Sequence, residues 1–289
     1  ENRSDDLASI LEFVDHDSPE ASRRYSPGDE LAARHQQLQL RRKKCDVLPE
    51  LPAKQTAKVA VQLHPEQRAS YSKAEQEGIV YLRALGAEVR VQHVIALLTR
   101  LKQICNADPC TGRSAKLDDI ERRLDELTSQ GHKALVFSQY VEGIFGAEAV
   151  ARRLARFHSL TITGSTPQSE RPEIIERFGR DSKHKVLVLS VRAGGLGLNL
   201  QAASYVFYLD RWWNPAVERQ SEDRSHRIGQ AAKVHVFKYV CLGTIEERID
   251  EMLGEKQRLF DESVDDVSLD LGARLGKRGL LGLFGLGQA

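Results

Sequence analysis

Apolar positions along the chain change their period near residue 114, and the two sides of that change predict different architectures. On the near side, Leu7, Ile10, Leu11 and Val14 share one face at helical spacing over residues 5–15. Residues 16–30 are polar and contain Pro19, Pro27 and Gly28, which reads as a loop before a second helix over 29–40. Arg41-Arg42-Lys43-Lys44 leads into Leu48-Pro49-Glu50-Leu51-Pro52, where two prolines forbid a regular helix. Residues 57–63 alternate Val59, Val61 and Leu63 on one face, as a half-buried strand does. Pro65 then opens two long helical patterns, 65–85 and 88–106, the second carrying Val91, Val94, Ile95, Leu98 and Leu101. Residues 107–114, with Pro109 and Gly112, read as a hinge or boundary.

On the far side, short apolar runs alternate with helical patterns. Strands are expected at 133–138, 159–163, 185–190, 204–209 and 233–240, and helices at 116–129, 140–156, 167–178, 215–228 and 244–260. Thr166 before Pro167 suits a helix N-cap with proline at the first helical position. Nearly continuous apolar strands separated by helices predict an α/β fold with a parallel sheet covered on both faces. The last stretch, SLDLGARLGKRGLLGLFGLGQA, sets six glycines among leucines, which weakens any helix. It reads as a disordered tail over 263–289, with a weak partner-binding helix as the alternative.

A length of 289 residues favours two packed units over one core. Hydrophobic residues at 41% and charged residues at 29% exclude a disordered chain. No run approaches the ~18 uncharged apolar residues that would span a bilayer, so no membrane partner is expected. Of Cys45, Cys105, Cys110 and Cys241, only Cys105 and Cys110 lie close in sequence, and no ligand set completes them, so no metal site is expected. The net charge is +1, so any nucleic-acid surface must be local. The chain begins at Glu1 without a methionine and is expected to belong to something longer.

Two constellations carry candidate chemistry. Arg192-Ala193-Gly194-Gly195-Leu196-Gly197-Leu198-Asn199 follows a buried strand, and its glycines let backbone N–H groups approach an anion. A tight turn explains the same glycines equally well. It is no Walker A loop, because no Gly-Lys-Ser/Thr ends it or occurs elsewhere. In Gln220-Ser221-Glu222-Asp223-Arg224-Ser225-His226-Arg227-Ile228-Gly229-Gln230, Arg224 and Arg227 stand three apart, which on a helix aims both guanidiniums from one face toward phosphate oxygens. A solvated surface helix paired through Glu222 and Asp223 is the competing reading.

Taken together, Leu135-Val136-Phe137-Ser138-Gln139, Thr163-Gly164-Ser165-Thr166, Ala193-Gly194-Gly195-Leu196-Gly197-Leu198-Asn199-Leu200, Asp210-Arg211-Trp212-Trp213-Asn214-Pro215 and Asp223-Arg224-Ser225-His226-Arg227-Ile228-Gly229-Gln230 closely resemble the motifs of Swi/Snf-type ATPases of helicase superfamily two. Gly243-Thr244-Ile245-Glu246-Glu247-Arg248-Ile249 resembles the helix after the last motif, and residues 41–52 resemble the end of the family's first lobe.

The resemblance implies a RecA-like parallel sheet sandwiched by helices and preceded by a helical protrusion. Residues 1–63 would be the end of the first RecA-like lobe, 64–112 the protrusion and linker, and 113–262 the second helicase lobe. The Walker A lysine and the magnesium carboxylates would lie upstream, so this chain alone is expected to be inactive, with ATP and Mg2+ bound mainly by the first lobe.

By the same resemblance Arg224 and Arg227 are the catalytic arginines, Gln220 and Asp223 set their geometry, and Gly195 and Gly197 line the nucleotide cleft. Ser138, Gln139, Thr163, Gly164, Ser165 and Arg192 would face the backbone of double-stranded DNA, without reading sequence. Trp212 and Trp213 would either pack a corner of the core or couple the DNA track to the arginines. His226 is expected to bridge locally rather than act as a base. Partners implied are duplex DNA, the first lobe and a protein on DNA. Two other readings are a strand-separating helicase of the same superfamily and a non-catalytic docking lobe. The shortness of the 65–106 excursion favours a bacterial or archaeal source and a cytoplasmic or nucleoid location, with a nuclear one if the source is eukaryotic.

Overall fold

The computed structural model describes residues 11–13, 50–194, 198–212, 215–227, 229–230, 232–261 and 271–286. The chain divides into two units, Glu1–Glu50 with Asp266–Ser268, and Leu51–Asp265 with Leu269–Ala289. In the first unit residues 11–13 are helical, within the helix expected over 5–15; the helix expected over 29–40 lies outside the described residues.

The second unit is built on strands β1 (Lys54–Val61), β2 (Ala134–Ser138), β3 (Leu160–Ile162), β4 (Val186–Ser190), β5 (Tyr205–Tyr208) and β6 (Val234–Cys241). They form one parallel sheet in the order β1-β6-β5-β2-β4-β3. β2 and β4 are buried along their whole length, because successive side chains feed two different cores. Ala134 and Val136 pack with Leu117, Ile120 and Leu124 of helix α3 (Ala115–Ser129) and Val150 of α4 (Ala147–Arg153). Leu135 and Phe137 face the other way, toward Phe178 of α5 (Arg171–Arg180). The sandwich expected from the strand runs is therefore present, and the fold is α/β.

A third core contains helices and strand ends. It joins α1 (Pro65–Leu85) and α2 (Val91–Asn106) to α8 (Ile245–Asp261) through Tyr71, Leu82, Leu98, Leu101 and Ile249. The two long helices can cross closely because residue 78 is glycine: a Cβ there would lie 2.2 Å from a Leu97 side-chain carbon. Local chemistry sets the ends. The Ser114 hydroxyl accepts from Leu117 N at 3.1 Å to cap α3, and Lys133 donates to the carbonyls of Phe178, Gly179 and Asp181 to close α5.

Four expectations change. The boundary expected at residue 63 does not separate residues 54–61 from the rest of the sheet: β1 pairs with β6 over eight positions, and the division falls after Glu50 instead. The tail expected to be disordered contains a kinked helix, α9 (Leu271–Gly282), after which Leu283 and Phe284 join Leu280 in the helical core, with Arg248 donating to the Leu283 carbonyl at 3.1 Å. Enough leucines fall in phase to bury despite the glycines.

The helix expected over 140–156 starts only at Ala147. Gly143 has φ +74, and a Cβ at Gly146 would meet the Val141 carbonyl at 2.3 Å, so residues 139–146 are a loop. Thr166 caps no helix, since its hydroxyl accepts from Thr163 N at 3.0 Å and α5 begins at Arg171.

Candidate active site

From β2 the chain runs to β3 and β4 on one side and to β5 and β6 on the other, so the topology reverses at β2. Open α/β sheets bind ligands beyond the carboxyl ends of their strands at such a reversal. Register aligns those ends here: Ser138 is level with Ser190, and Ile162 with Leu189. The segments starting at Gln139, Thr163 and Val191 therefore leave the sheet from one edge. Of these, Gly164 and Ser165 are exposed, and an open groove of about 550 Å3 runs beside them, lined by Arg152, Thr161, Thr163, Ser165 and Thr166. Thr163 is buried, its hydroxyl 2.7 Å from that of Ser165.

Ser138 departs from expectation. It is fully buried, and its hydroxyl donates to Asp210 Oδ2 at 3.0 Å while accepting from Tyr140 N at 3.2 Å, so it does not face outward to a DNA backbone. Its partner is the centre of the edge. Asp210, just past β5, also accepts from Gln139 N at 2.9 Å and from Asn106 Nδ2 at 2.7 Å. Behind it Lys116 Nζ donates to Asn106 Oδ1 at 3.1 Å, to the Leu209 carbonyl at 2.7 Å and to Glu246 Oε1 at 2.6 Å, and Lys102 Nζ donates to the Arg211 carbonyl at 2.8 Å.

All six side chains, Lys102, Asn106, Lys116, Ser138, Asp210 and Glu246, are buried. Burial pushes the Asp210 carboxyl up against the pull of Lys102 and Lys116, and pushes the Lys102 ammonium down against the pull of Asp210. Burial would also lower Lys116, but Glu246, Cys241 and Cys105 hold it above its ordinary value.

The next residues fasten a second element. Arg211 Nε donates to Glu218 at 3.0 and 3.2 Å, Trp212 N donates to Glu218 Oε1 at 2.8 Å, and Lys238 Nζ lies 2.9 Å from Glu218 Oε2. Arg211 also pairs with Asp250 on α8. Glu218 stands on helix α7 (Pro215–Glu222), whose Glu222 meets Lys54 at 2.6 Å and Lys238 at 2.8 Å. Burial alone would raise the Glu218 carboxyl, but Arg211 and Lys238 hold it below the usual carboxylate range. Trp212 is half-buried against the α5-side core, the corner-packing position; Trp213 lies outside the described residues.

The two constellations meet. Leu200 N, just past the glycine-rich stretch, donates to the Arg224 carbonyl at 3.2 Å. Gln230 Nε2 donates to the carbonyls of Gln201, Ala203 and Ser225 at 3.0, 3.1 and 3.1 Å, tying the end of the arginine segment to the same loop. The helix expected over 215–228 stops at Glu222, so Arg224 and Arg227 share no helical face; both lie in the following turn, Arg224 half-buried and Arg227 exposed. Gln220 is exposed near the end of α7 and Asp223 is half-buried just past it. His226 lies 2.7 Å from the Pro52 carbonyl, outside its own segment. Gly195 and Gly197 lie outside the described residues, and of Arg192 the backbone alone is described, in the helical turn α6 (Val191–Gly194).

Two family descriptions match this chain: "SNF2-related domain" over residues 7–110 and "Helicase conserved C-terminal domain" over residues 115–229. The Bacillus subtilis "Putative ATP-dependent helicase/translocase YwqA" is 36% identical over 237 residues, which cover 78% of this chain and 26% of that protein. The Sulfolobus solfataricus SWI2/SNF2 ATPase core in complex with dsDNA aligns with a TM-score of 0.67 at 28% identity, covering 89% of this chain and 55% of that one. The chain belongs to the Snf2-type ATPases of helicase superfamily two.

The isolated C-terminal domain of the Sulfolobus SWI2/SNF2 ATPase aligns as well, with a TM-score of 0.63 at 28% identity, covering 81% of this chain and 99% of that one. The Snf2-type chain spans about a quarter of the length of the curated relatives it matches, 26% and 22% for the first two.

Sequence reasoning missed Lys102, Asn106, Lys116, Glu218 and Glu246. A signal was available: Lys102 and Asn106 fall i and i+4 in phase with Leu98 and Cys105, so a polar pair sits on the buried face of α2. Cys105 contacts Cys241 rather than Cys110, which is exposed. Cys105, Cys241 and Glu246 bring their ligand atoms within 4.8 Å, yet Glu246 already holds the Lys116 ammonium, and a metal ion there would have to displace it.

Proposed function

We propose that this chain is the C-terminal part of an ATP-dependent translocase on duplex DNA, supplying one side of the nucleotide cleft and half of a DNA-backbone track. The observation that carries the proposal is the junction of the two constellations, where Leu200 bonds the Arg224 backbone and Gln230 bridges both segments. That junction ties the end of the glycine-rich segment to the turn that carries the two arginines. Guanidiniums in a turn fit the oxygens of ATP phosphates and repel a metal ion, so Mg2+ would be held by carboxylates of the first lobe.

In this reading ATP binds to the first lobe, closure brings Arg224 and Arg227 to the terminal phosphate, and Asp223 and Gln220 keep them in position. Gly164, Ser165, Gln139 and Arg192 meet the DNA backbone from the other strand ends. Contacts of that kind position without reading sequence, so binding is sequence-independent and weakens with salt. Alone, the chain turns over no ATP.

The test uses the protein that carries both lobes, with ATP and a triplex substrate. A duplex translocase displaces the third strand and leaves the duplex intact. Separation of the duplex strands would favour the helicase reading, and failure to do either would favour a docking lobe.

A further inference from the structure

We propose that Asn106 is a positioning residue through which the α1–α2 helical hairpin sets the efficiency of DNA-stimulated ATP turnover. The proposal rests on the translocase reading and adds a third body to it. Helix α2 touches the exit of β5 at two successive residues: Asn106 Nδ2 donates to Asp210 Oδ2 at 2.7 Å, and Lys102 Nζ donates to the Arg211 carbonyl at 2.8 Å.

From that exit two connections diverge. Asp210 holds the turn out of β2 through Ser138 Oγ and Gln139 N, on the side assigned to DNA. Arg211 and Trp212 hold Glu218, and so α7, on the side that leads to Arg224 and Arg227. Any shift of α2 is thereby applied to both halves of the site at once, through hydrogen bonds shielded from water and packed without slack.

Among the six buried side chains of this network Asn106 offers a clean probe. Lys102, Lys116, Asp210 and Glu246 carry two charges of each sign, and removing any one strands its opposite in the interior. Asn106 is neutral, fully buried and hence out of reach of both ATP and DNA. Leucine keeps the branching of the side chain and the charge balance, and adds bulk. Lys116 retains its bonds to Glu246 and Leu209, and Asp210 retains Ser138 and Gln139.

The experiment measures ATP turnover of Asn106→Leu in the protein that carries both lobes, with and without duplex DNA, alongside duplex affinity and thermal unfolding. The expected result is unchanged basal turnover and duplex affinity, with DNA-stimulated kcat reduced about tenfold. Stimulated kcat within about twofold of wild type overturns the proposal, and so does a fall of basal and stimulated turnover in equal proportion, which marks a merely structural role. If leucine prevents folding, Asn106→Ala, which adds no bulk, carries the same expectation and the same overturning results. A wild-type protein with no DNA stimulation at all would instead remove the translocase reading beneath it.

Discussion

Asp210 and Arg211, at the exit of β5, are held in the protein by several partners, whereas Arg227, in the turn beyond α7, is exposed. The first region pays for its rigidity with four buried charges; the second keeps a guanidinium in water. The difference separates scaffold from reagent. Residues that fix the geometry of two loops saturate their hydrogen bonds internally, and the arginine that the proposed function sends to a phosphate stays accessible.

The comparison breaks most visibly if Arg227 proves structural. In the two-lobed protein Arg227→Ala should lower ATP turnover by about 10³-fold, while unfolding of the chain shifts by less than about 0.5 kcal/mol. Lys116→Met should do the opposite, costing about 3–5 kcal/mol in urea unfolding because Glu246 is left charged and buried; a loss under about 1 kcal/mol would show that the scaffold is not held by this network. Gln230→Ala falls between the two regions. It strips donors from three backbone carbonyls and should cost about 1–3 kcal/mol, with turnover falling as well because the turn loses its anchor to the loop after the glycines.

The smallest effect is in acid. Glu218 has a folded pKa held below the ordinary 4.5, so its contribution is complete above 4.5 and is lost as pH falls through the lower folded value. Asp210 has the opposite slope: its folded pKa is raised above 3.8, so ionising it costs stability as pH rises from there through the folded value. The two partly offset. Glu218→Gln should flatten the acid loss, and urea unfolding from about pH 3 to about pH 6 reads the change.

Much of the fold was legible because its signals were local. The run over 65–85 returned as α1 with the expected limits, since Pro65 and Gly86 punctuate it at both ends. The strands β2 and β4 followed from uninterrupted apolar runs. What periodicity hid was tertiary. Gly143 and Gly146 turn an apparent helix into a loop, β1 crosses an apparent boundary to pair with β6, and Leu280, Leu283 and Phe284 of the glycine-rich tail find a core to join.

The site was half legible. Motif residues were recognisable one by one, but the three-residue spacing of Arg224 and Arg227 suggested a helical face that ends at Glu222. Lys102 and Asn106 carry no motif, and it is the fold that sets Asp210 and the Arg211 carbonyl against them.

The central claim is that this site is chemically complete only with another lobe. It is tested most directly by measuring duplex-stimulated ATP hydrolysis by residues 1–289 alone and by the same chain joined to a Snf2-type first lobe. No hydrolysis by the chain alone and DNA-dependent hydrolysis by the joined protein are predicted. DNA-stimulated hydrolysis by residues 1–289 alone would contradict the account.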